Sequence, residues 1–466
     1  MTSIEEAVAQ LVVDLDYDQL TPEALQGTRR LMQDQLGLQV GCATLPWSQS
    51  VADLTRRTHA PGTARVALSG EAMSAGDAAF VNATFGHSFE YDDAHAASLS
   101  HPGSAVISAA LAVGEEMGAT MREVIEGIVA GYEVYTRIGT LASPDLLRRG
   151  FHPHAVLSPF GAAAVVAKMR GFGLPTTLNA LSVAFSHCAG TTEYTSSGGS
   201  VKRVHSGIGT RNGIRAAEMA EAGITGPSRF LTGAKGFFQT FVVRDVNTEA
   251  AERFSLSQPY EIADPLFKPY CCCAFNHAFI DGARQLTNRV GEIESVDLGI
   301  RESGDVVVGN SNVNAYAPQQ IEHLQYSLPF QFALSALSKG NGYETHRQYL
   351  DGTLDLGPEG EIAQLAQRVR IHVSSELDEQ YPTKMVADIT ATFADGTTDH
   401  IFVEDSVGSA PNPMSPADED AKFRDLTATN LGAEGSEALL AAIKNPDSSS
   451  KVVDLVTLLV RDAVAA

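Results

Sequence analysis

The apolar positions in the first half of the chain recur mostly at helical spacing. Residues 4–45 alternate short apolar faces with Asp and Thr caps, a pattern typical of consecutive helices. One of these helices is predicted to open at Thr21 and to end at Gly37. Thr120 and Glu123 form a predicted capping box, and the apolar residues that follow continue at intervals of three and four. This part of the chain is therefore predicted to be all-helical.

The pattern changes after about residue 290. VDLGIRE, RVRIHVS and KMVADITATFADGTTDHIFVED alternate at period two, which predicts strands, and the Asp-Gly at 395–396 indicates a hairpin. SLPFQFALSALSKG and GEIAQLAQRV are predicted helices between them, and helical spacing returns from SPADEDAKFRDL to a last predicted helix, KVVDLVTLLVRDAVAA. We therefore predict an all-helical domain of residues 1–265 and 408–466, and a smaller α+β domain of residues 266–407 inserted before the C-terminal helices.

Composition and charge narrow the range of partners. The 466 residues are 44% hydrophobic and 19% charged, as in ordinary globular proteins, and exceed what one core usually holds. With 33 basic and 56 acidic residues the net charge is -23, which disfavours nucleic acid and anionic lipid and requires a local basic pocket for an acidic substrate. Five cysteines, three of them adjacent, do not suggest a disulfide framework. This cysteine pattern fits a reducing cytoplasm, and no targeting segment or membrane span is predicted, so we expect a cytoplasmic protein.

Residues 86–103, GHSFEYDDAHAASLSHPG, hold the densest group of proton-handling side chains. They follow a helical pattern, GDAAFVNATFGHSFE, and precede a predicted apolar helix, SAVISAALAVGEEMG. Each Asp or His taken alone is more often a turn or cap residue. Six within fifteen residues, on a loop between helices, favour a functional site. The six are His87, Glu90, Asp92, Asp93, His95 and His101.

A second candidate is the His-Pro-His sequence at 152–154. It precedes a helix that is predicted to have Ser158 as its cap and Pro159 in its first position. Such a place suits an anion, and the two histidines could also chelate a metal. A plain surface turn remains an equal alternative.

Two further clusters contain basic or sulfur-bearing residues. Lys202, Arg203 and His205 lie between glycines and could receive a carboxylate, although such pairs are usually solvated. In KPYCCCAFNHAFIDGARQL, His277 lies on a predicted helix after three cysteines at 271–273. Adjacent cysteines do not fit a structural zinc site; a nucleophilic cysteine and buried packing both remain open.

Taken together, these segments resemble the MmgE/PrpD family. EYDDAHAASLSHPG, GYEVYTRIG, GFHPHAVLSPFGAAA, VKRVHSGIGTRNGIRAAEMAEAGITGP and KPYCCCAFNHAFIDGA occur in the family's order between residues 80 and 285. The resemblance implies a helical domain, an α+β domain, a homodimer and cofactor-free chemistry on small di- and tricarboxylates. Known activities in such a family include methylcitrate dehydration, cis-aconitate decarboxylation and iminodisuccinate epimerisation. The family's functional positions fall on Glu90, Ala94, His101, His152, Lys202 and His277 of this sequence.

Two departures from the family pattern bear on the reaction. Glu90 stands where Asp is common, and Ala94 replaces a threonine, which removes a hydroxyl. These departures weigh against a dehydratase or decarboxylase. Chain length and the Cys-Cys-x3-His form of the fourth segment favour an epimerase of an iminodisuccinate-like dicarboxylate. A dehydratase or decarboxylase is the second hypothesis, and a metal-dependent hydrolase or a non-catalytic dicarboxylate-binding protein ranks lower.

The predicted chemistry is removal of a proton α to a carboxylate. Lys202 would compensate the charge that develops, His101 would be the base, and His277 or His152 would face it. No metal and no cofactor are expected. We predict catalytic roles for His101, His152, Lys202, His277 and Asp93, and substrate contacts for Glu90, Asp92, His95 and Arg203.

Overall fold

The computed structural model describes residues 2–378 and 384–461. It divides into two compact units. The first contains Met1–Ser88, Asp92–Pro265 and Glu419–Ala466, and the second contains Phe89–Tyr91 and Leu266–Asp418. The sequence-based boundaries, at 265/266 and 407/408, stay a prediction beside this division. The predicted fold class, a large helical part with a smaller α+β part, is confirmed.

The first unit is built almost entirely from helices. Its α-helices are α1 (Ile4–Asp14), α2 (Pro22–Cys42), α3 (Pro46–Thr58), α4 (Ala75–His87), α5 (Pro102–Met117), α6 (Met121–Ala142), α7 (Asp145–Arg148), α8 (Pro153–Met169), α9 (Leu174–Phe185), α10 (Tyr194–Ser197) and α11 (Lys202–Glu221). Strands β1 (Ala64–Arg65) and β2 (Ala72–Met73) form a small antiparallel pair. A π-helix spans Phe238–Val242, and short 3-10 helices span Tyr17–Gln19, Thr248–Phe254 and Glu261–Ala263.

The second unit surrounds a four-stranded sheet. Its α-helices are α12 (His277–Arg284), α13 (Glu302–Val308), α14 (Ile321–Gln325), α15 (Leu328–Ala336), α16 (Tyr343–Leu350), α17 (Glu361–Ala366) and α18 (Ser375–Asp378), with 3-10 helices at Ala274–Asn276 and Thr287–Glu292. The strands are β3 (Ile293–Ile300), β4 (Val369–Val373), β5 (Ala387–Phe393) and β6 (Thr398–Val403), in the order β4-β3-β5-β6. Only β3 and β4 are parallel. β5 and β6 form the hairpin predicted at 395–396.

Local helix signals in the sequence are confirmed where the cap itself supplies a hydrogen bond. The Thr21 side chain caps α2 and Thr120 with Glu123 forms the capping box of α6. α5 ends at Gly118, which has a φ of 63°. These boundaries are set by hydrogen bonds and backbone conformations of residues that are close in sequence. The sequence pattern was therefore enough to predict them.

Two predicted helix boundaries are wrong. α2 continues past Gly37 to Cys42, since a Cβ at Gly37 would lie 3.1 Å from the Phe423 side chain; the glycine permits close packing there. α8 begins at Pro153, so Pro159 lies inside the helix. Ser158 does not cap it, and its hydroxyl instead donates to the carbonyl of His154 at 2.6 Å.

The C-terminal segment returns to the first unit. α19 (Pro416–Lys444) is broken at Gly432, and α20 (Val452–Thr457) follows it. The amide of Val452 donates to the Ala119 carbonyl, and Leu68 forms a parallel bridge with Val460. The predicted final helix is therefore shorter than its apolar pattern indicates, and its residues 462–466 lie outside the described part. Among the described residues, no helix is long and apolar enough to cross a membrane.

Candidate active site

The loop between α4 and α5 brings two histidines to one aspartate. His87, the last residue of α4, has its Nδ1 2.6 Å from Asp92 Oδ2, and both side chains are buried. His101 Nδ1 lies 2.7 Å from the Asp93 carbonyl oxygen and 3.9 Å from Asp92 Oδ1. Because a carbonyl only accepts, His101 Nδ1 carries the hydrogen. Its Nε2 is therefore the atom that can take up or release a proton.

Asp93 anchors this loop to the start of α5. Its carboxylate accepts hydrogen bonds from the Gly103 amide at 3.0 Å and from Gln35 Nε2 at 3.1 Å. Burial, followed by the charges of Asp92 and Asp34, raises the pKa of Asp93 well above its usual value. The geometry gives this side chain a positioning task; the catalytic role predicted for it stays a prediction.

A second pair of imidazoles lies where α8 and α11 pack. His152 caps the start of α8 and its Nδ1 is 2.9 Å from Nδ1 of His205, in the first turns of α11. A Cβ at Gly209 would lie 2.5 Å from the Ser158 side chain, so α11 can approach α8 only with glycine there. Burial, followed by the charge of His87, lowers the pKa of His205 to about 4 and that of His152 well below its usual value. At neutral pH this pair is uncharged and shares one bridging hydrogen.

His154 lies next to the rings of His87 and His152, and two hydroxyl groups contact its ring nitrogens. Tyr135 Oη is 2.8 Å from His154 Nδ1, and Ser104 Oγ is 3.3 Å from His154 Nε2. Its ring centroid is 4.2 Å from that of His87. Burial, followed by the charge of His87, lowers its pKa well below the usual value. His154 therefore connects the loop histidines to the pair on α8 and α11, whose His152 ring is 5.9 Å from His87.

The basic cluster on α11 separates into different environments. Lys202 is the first residue of α11, half-buried, and its charge contributes to the low pKa of His205. Arg203 is turned into the protein, where it donates to the Ser88 carbonyl and stacks 3.7 Å over the Trp47 ring. These contacts hold the end of α4 in place; the predicted role of Arg203 in substrate binding remains untested.

His95 also has partners that orient it within the first unit. Its Nδ1 is 2.8 Å from Ser98 Oγ and its Nε2 is 3.1 Å from Glu261 Oε2. The neighbouring imidazole lowers the pKa of Glu261. His95 therefore links the acidic loop to the segment near residue 261, and its predicted contact with substrate stays a prediction.

The second unit holds the other candidates. Glu90 adopts a left-handed backbone conformation, with φ 55°, that non-glycine residues rarely populate, and its carboxylate lies 3.4 Å from Lys268 Nζ. His277 opens α12, with Nε2 3.4 Å from the Cys272 carbonyl oxygen, and packs edge-on against Tyr270 at 5.2 Å. Burial raises the pKa of the Cys272 thiol well above its usual value, which disfavours a nucleophilic thiolate at neutral pH.

The candidate residues therefore fall into two groups. Asp92, Asp93, His101, His152 and Lys202 belong to the first unit, and Glu90 and His277 belong to the second. His87, His154 and His205 lie in the candidate clusters of the sequence but were assigned no catalytic or binding role there, and Lys268 was not selected. A role for His205 could have been inferred from its position three residues after Lys202, which puts both side chains on one face of the same helix. Among the described residues, no three His, Cys, Asp or Glu side chains are grouped so that they could hold a metal ion.

Comparison with known proteins decides the family. The family model of the MmgE/PrpD N-terminal domain matches residues 6–249, and the model of the MmgE/PrpD C-terminal domain matches residues 270–447. The chain belongs to the MmgE/PrpD family. Its relatives include a cis-aconitate decarboxylase of Aspergillus terreus, 26% identical over 63% of this chain and 62% of the fungal protein. The human cis-aconitate decarboxylase is 24% identical over 98% of this chain and 95% of its own length.

The relatives correct the reaction predicted from the sequence. The match spans less than two thirds of the first fungal relatives, 62% and 59% of their lengths, while the human and mouse proteins are matched over 95% and 91%. These four relatives are named cis-aconitate decarboxylases, so the epimerase prediction is wrong. It relied on chain length and on the cysteines of the fourth segment, of which Cys271 and Cys272 are buried.

Proposed function

We propose that this protein is a lyase that decarboxylates a small unsaturated tricarboxylate of the cis-aconitate type. The observation that supports this most is the full-length similarity to the human cis-aconitate decarboxylase. The buried imidazoles around Asp92, with Lys202 beside them, provide groups suited to proton transfer and carboxylate binding.

The proposed reaction needs one proton and no oxidant. The bond between the methylene carbon and its carboxylate breaks, and CO2 leaves. The electron pair forms a new double bond to the central carbon, while the electrons of the original double bond move to the outer alkene carbon. That carbon takes a proton from the enzyme, so a trianion and a proton give a dianion and CO2.

His101 is the proposed proton donor. Its Nδ1 hydrogen is engaged by the Asp93 carbonyl oxygen at 2.7 Å, which leaves Nε2 to carry the transferred proton. Asp92, 3.9 Å from the same ring, would stabilise the imidazolium before transfer. His152 and His205, uncharged at neutral pH, would donate a hydrogen bond without adding charge.

Lys202 is the proposed cation for the substrate. As CO2 leaves, negative charge spreads onto the conjugated carboxylate, and an ammonium group stabilises that charge most in a site with little water.

We propose that the protein works as a homodimer and without metal or organic cofactor. A chelator that abolished activity, with recovery on adding metal, would oppose the second statement.

The test is NMR of cis-aconitate with the enzyme in D2O. We expect CO2 release, a product with one fewer carboxylate, and one deuterium on the former alkene carbon. His101→Gln should lose this activity, whereas His400→Gln, whose side chain is 62% exposed, should keep it. Hydration of the double bond without CO2 release would favour the dehydratase alternative and contradict the proposal.

A further inference from the structure

The imidazole pair His152 and His205 is covered by the ring of Tyr194. The Tyr194 ring centroid lies 5.6 Å from that of His152 and 6.0 Å from that of His205, and it meets both edge-on, at 78° and 65°. The two histidines are only 5% and 6% exposed, while Tyr194 is half-buried. A half-buried aromatic ring that packs against a site is suited to form part of its wall.

The segment that carries Tyr194 is tied down at its start. The His152 amide donates to the Gly190 carbonyl at 3.1 Å, the Thr192 amide donates to the Gly150 carbonyl at 2.9 Å, and Phe151 bridges to Thr191. A Cβ at Gly190 would lie 2.5 Å from Ala155 and 3.5 Å from His205 Nε2. These backbone contacts fix the ring's position relative to His152.

The segment ends at two glycines with positive φ. Gly198 and Gly199 have φ values of 80° and 107°, and a Cβ at either would meet no atom within 4 Å. Glycine at these two positions permits a positive φ and is not required by close packing. The short helix that carries Tyr194 therefore begins at anchored backbone and ends where these two glycines turn the chain.

We infer that Tyr194 is a substrate-contacting residue that determines specificity. Its ring forms the wall of the space where a polycarboxylate meets His152 and His205, excludes water from them and limits the size of the ligand. This inference rests on the proposed function for the nature of the substrate, and it predicts that the ring matters more than the hydroxyl.

The first test measures, without any turnover, how far the Tyr194 ring shields the two histidines from a reagent in solution. Diethyl pyrocarbonate acylates neutral imidazoles, and peptide mass spectrometry gives the rate at each histidine. We expect His152 and His205 to be labelled about 5-fold faster or more in Tyr194→Ala than in wild type, and unchanged in Tyr194→Phe. Tyr17→Ala, which removes a half-buried ring packed under Arg122, is the control and should match wild type.

The second test measures contact with the ligand. Saturating cis-aconitate should slow labelling of both histidines in wild type, and Tyr194→Ala should need about 10-fold more ligand for the same protection. In turnover, Tyr194→Ala should raise KM by a similar factor and improve the relative kcat/KM for a homologue with one extra methyl group. Tyr194→Phe should change neither quantity much.

The outcomes separate this inference from the proposed function. A wild-type enzyme that releases no CO2 contradicts the function, while labelling and protection still decide the role of Tyr194. CO2 release with labelling rates, protection and KM unchanged in Tyr194→Ala would overturn the inference. Equal losses in Tyr194→Phe and Tyr194→Ala would also overturn it, because the ring would then not be the determining feature.

Discussion

Burial favours the neutral form of three imidazoles in the cluster. His152, His154 and His205 all have lowered pKa values, because little water reaches them and the nearby His87 adds to the cost of protonating each. Positive charge for a polycarboxylate must therefore come from elsewhere in the site. Lys202 is the residue of the first unit that we propose for this task.

Lys202→Met is expected to lower kcat/KM for cis-aconitate by roughly 30- to 1000-fold, since a charge-assisted contact in a partly dry site is lost. Steady-state kinetics measure the effect. Lys235→Met, at an exposed position, serves as the control. Near wild-type efficiency in Lys202→Met would contradict the proposed role.

His346 in the second unit gives a pH prediction that is independent of catalysis. Its Nδ1 donates to the Gly342 carbonyl at 2.8 Å, so its Nε2 must accept the hydrogen bond from Gln331 at 3.0 Å. Burial lowers its pKa from 6.5 to about 4. The folded state therefore binds fewer protons than the unfolded state between these values. Its stabilising contribution is complete above pH 6.5 and is lost as the pH falls toward 4.

We expect the stability difference between wild type and His346→Gln to shrink by roughly 1.4 kcal/mol per pH unit from pH 6.5 to 4. Urea unfolding at a series of pH values measures it, and the comparison with the variant cancels the other titrating groups. A difference that stays constant over this range would show that His346 does not titrate as its burial indicates.

At the scale of elements, the loop between α4 and α5 depends on one close approach. A Cβ at Gly103 would lie 2.4 Å from Asp93 Oδ1. The carboxylate and the helix start can meet at hydrogen-bond distance because that position has no side chain.

Gly103→Ala is therefore expected to displace the Asp93 carboxylate and the His101 ring bound to its carbonyl, at a cost of about 1–3 kcal/mol in the free energy of unfolding. Thermal or urea unfolding and the CO2 assay report the two effects. Gly291→Ala is the matched control, since a Cβ there meets no atom within 4 Å. Equal behaviour of the two variants would contradict the anchoring role.

At the scale of the whole molecule, a lysine of α19 pairs with an aspartate of α2 that is distant in sequence. Lys422 Nζ lies 2.6 Å from Asp34 Oδ1, and both side chains are buried. Burial raises the pKa of Asp34 to about 6 even though Lys422 opposes the shift. Asp34 Oδ2 has no hydrogen-bond partner within the described ranges, so the carboxylate depends on this one cation.

Lys422→Met should cost about 3–5 kcal/mol in the free energy of unfolding, because it leaves a buried carboxylate unpaired, and Asp34→Asn with Lys422→Met should recover most of that loss. A double-mutant cycle measures the coupling. Arg424→Met, which breaks an exposed ion pair on the same helix, should change stability little. An additive double variant would mean that the two charges do not depend on each other.

The sequence by itself determined the features that rest on neighbours in the chain. The capping box at Thr120, the left-handed Gly118 and the alternation that became β3 to β6 needed only local rules, and the ordered segments indicated the family. Tertiary structure decided the rest. Three features depend on residues that are distant in sequence. They are the packing of Phe423 against Gly37 in the middle of a helix, the set of imidazoles that are buried together, and the stacking of Arg203 on Trp47. Spacing along the chain carries no information on those contacts, because close packing and burial arise only when the helices meet.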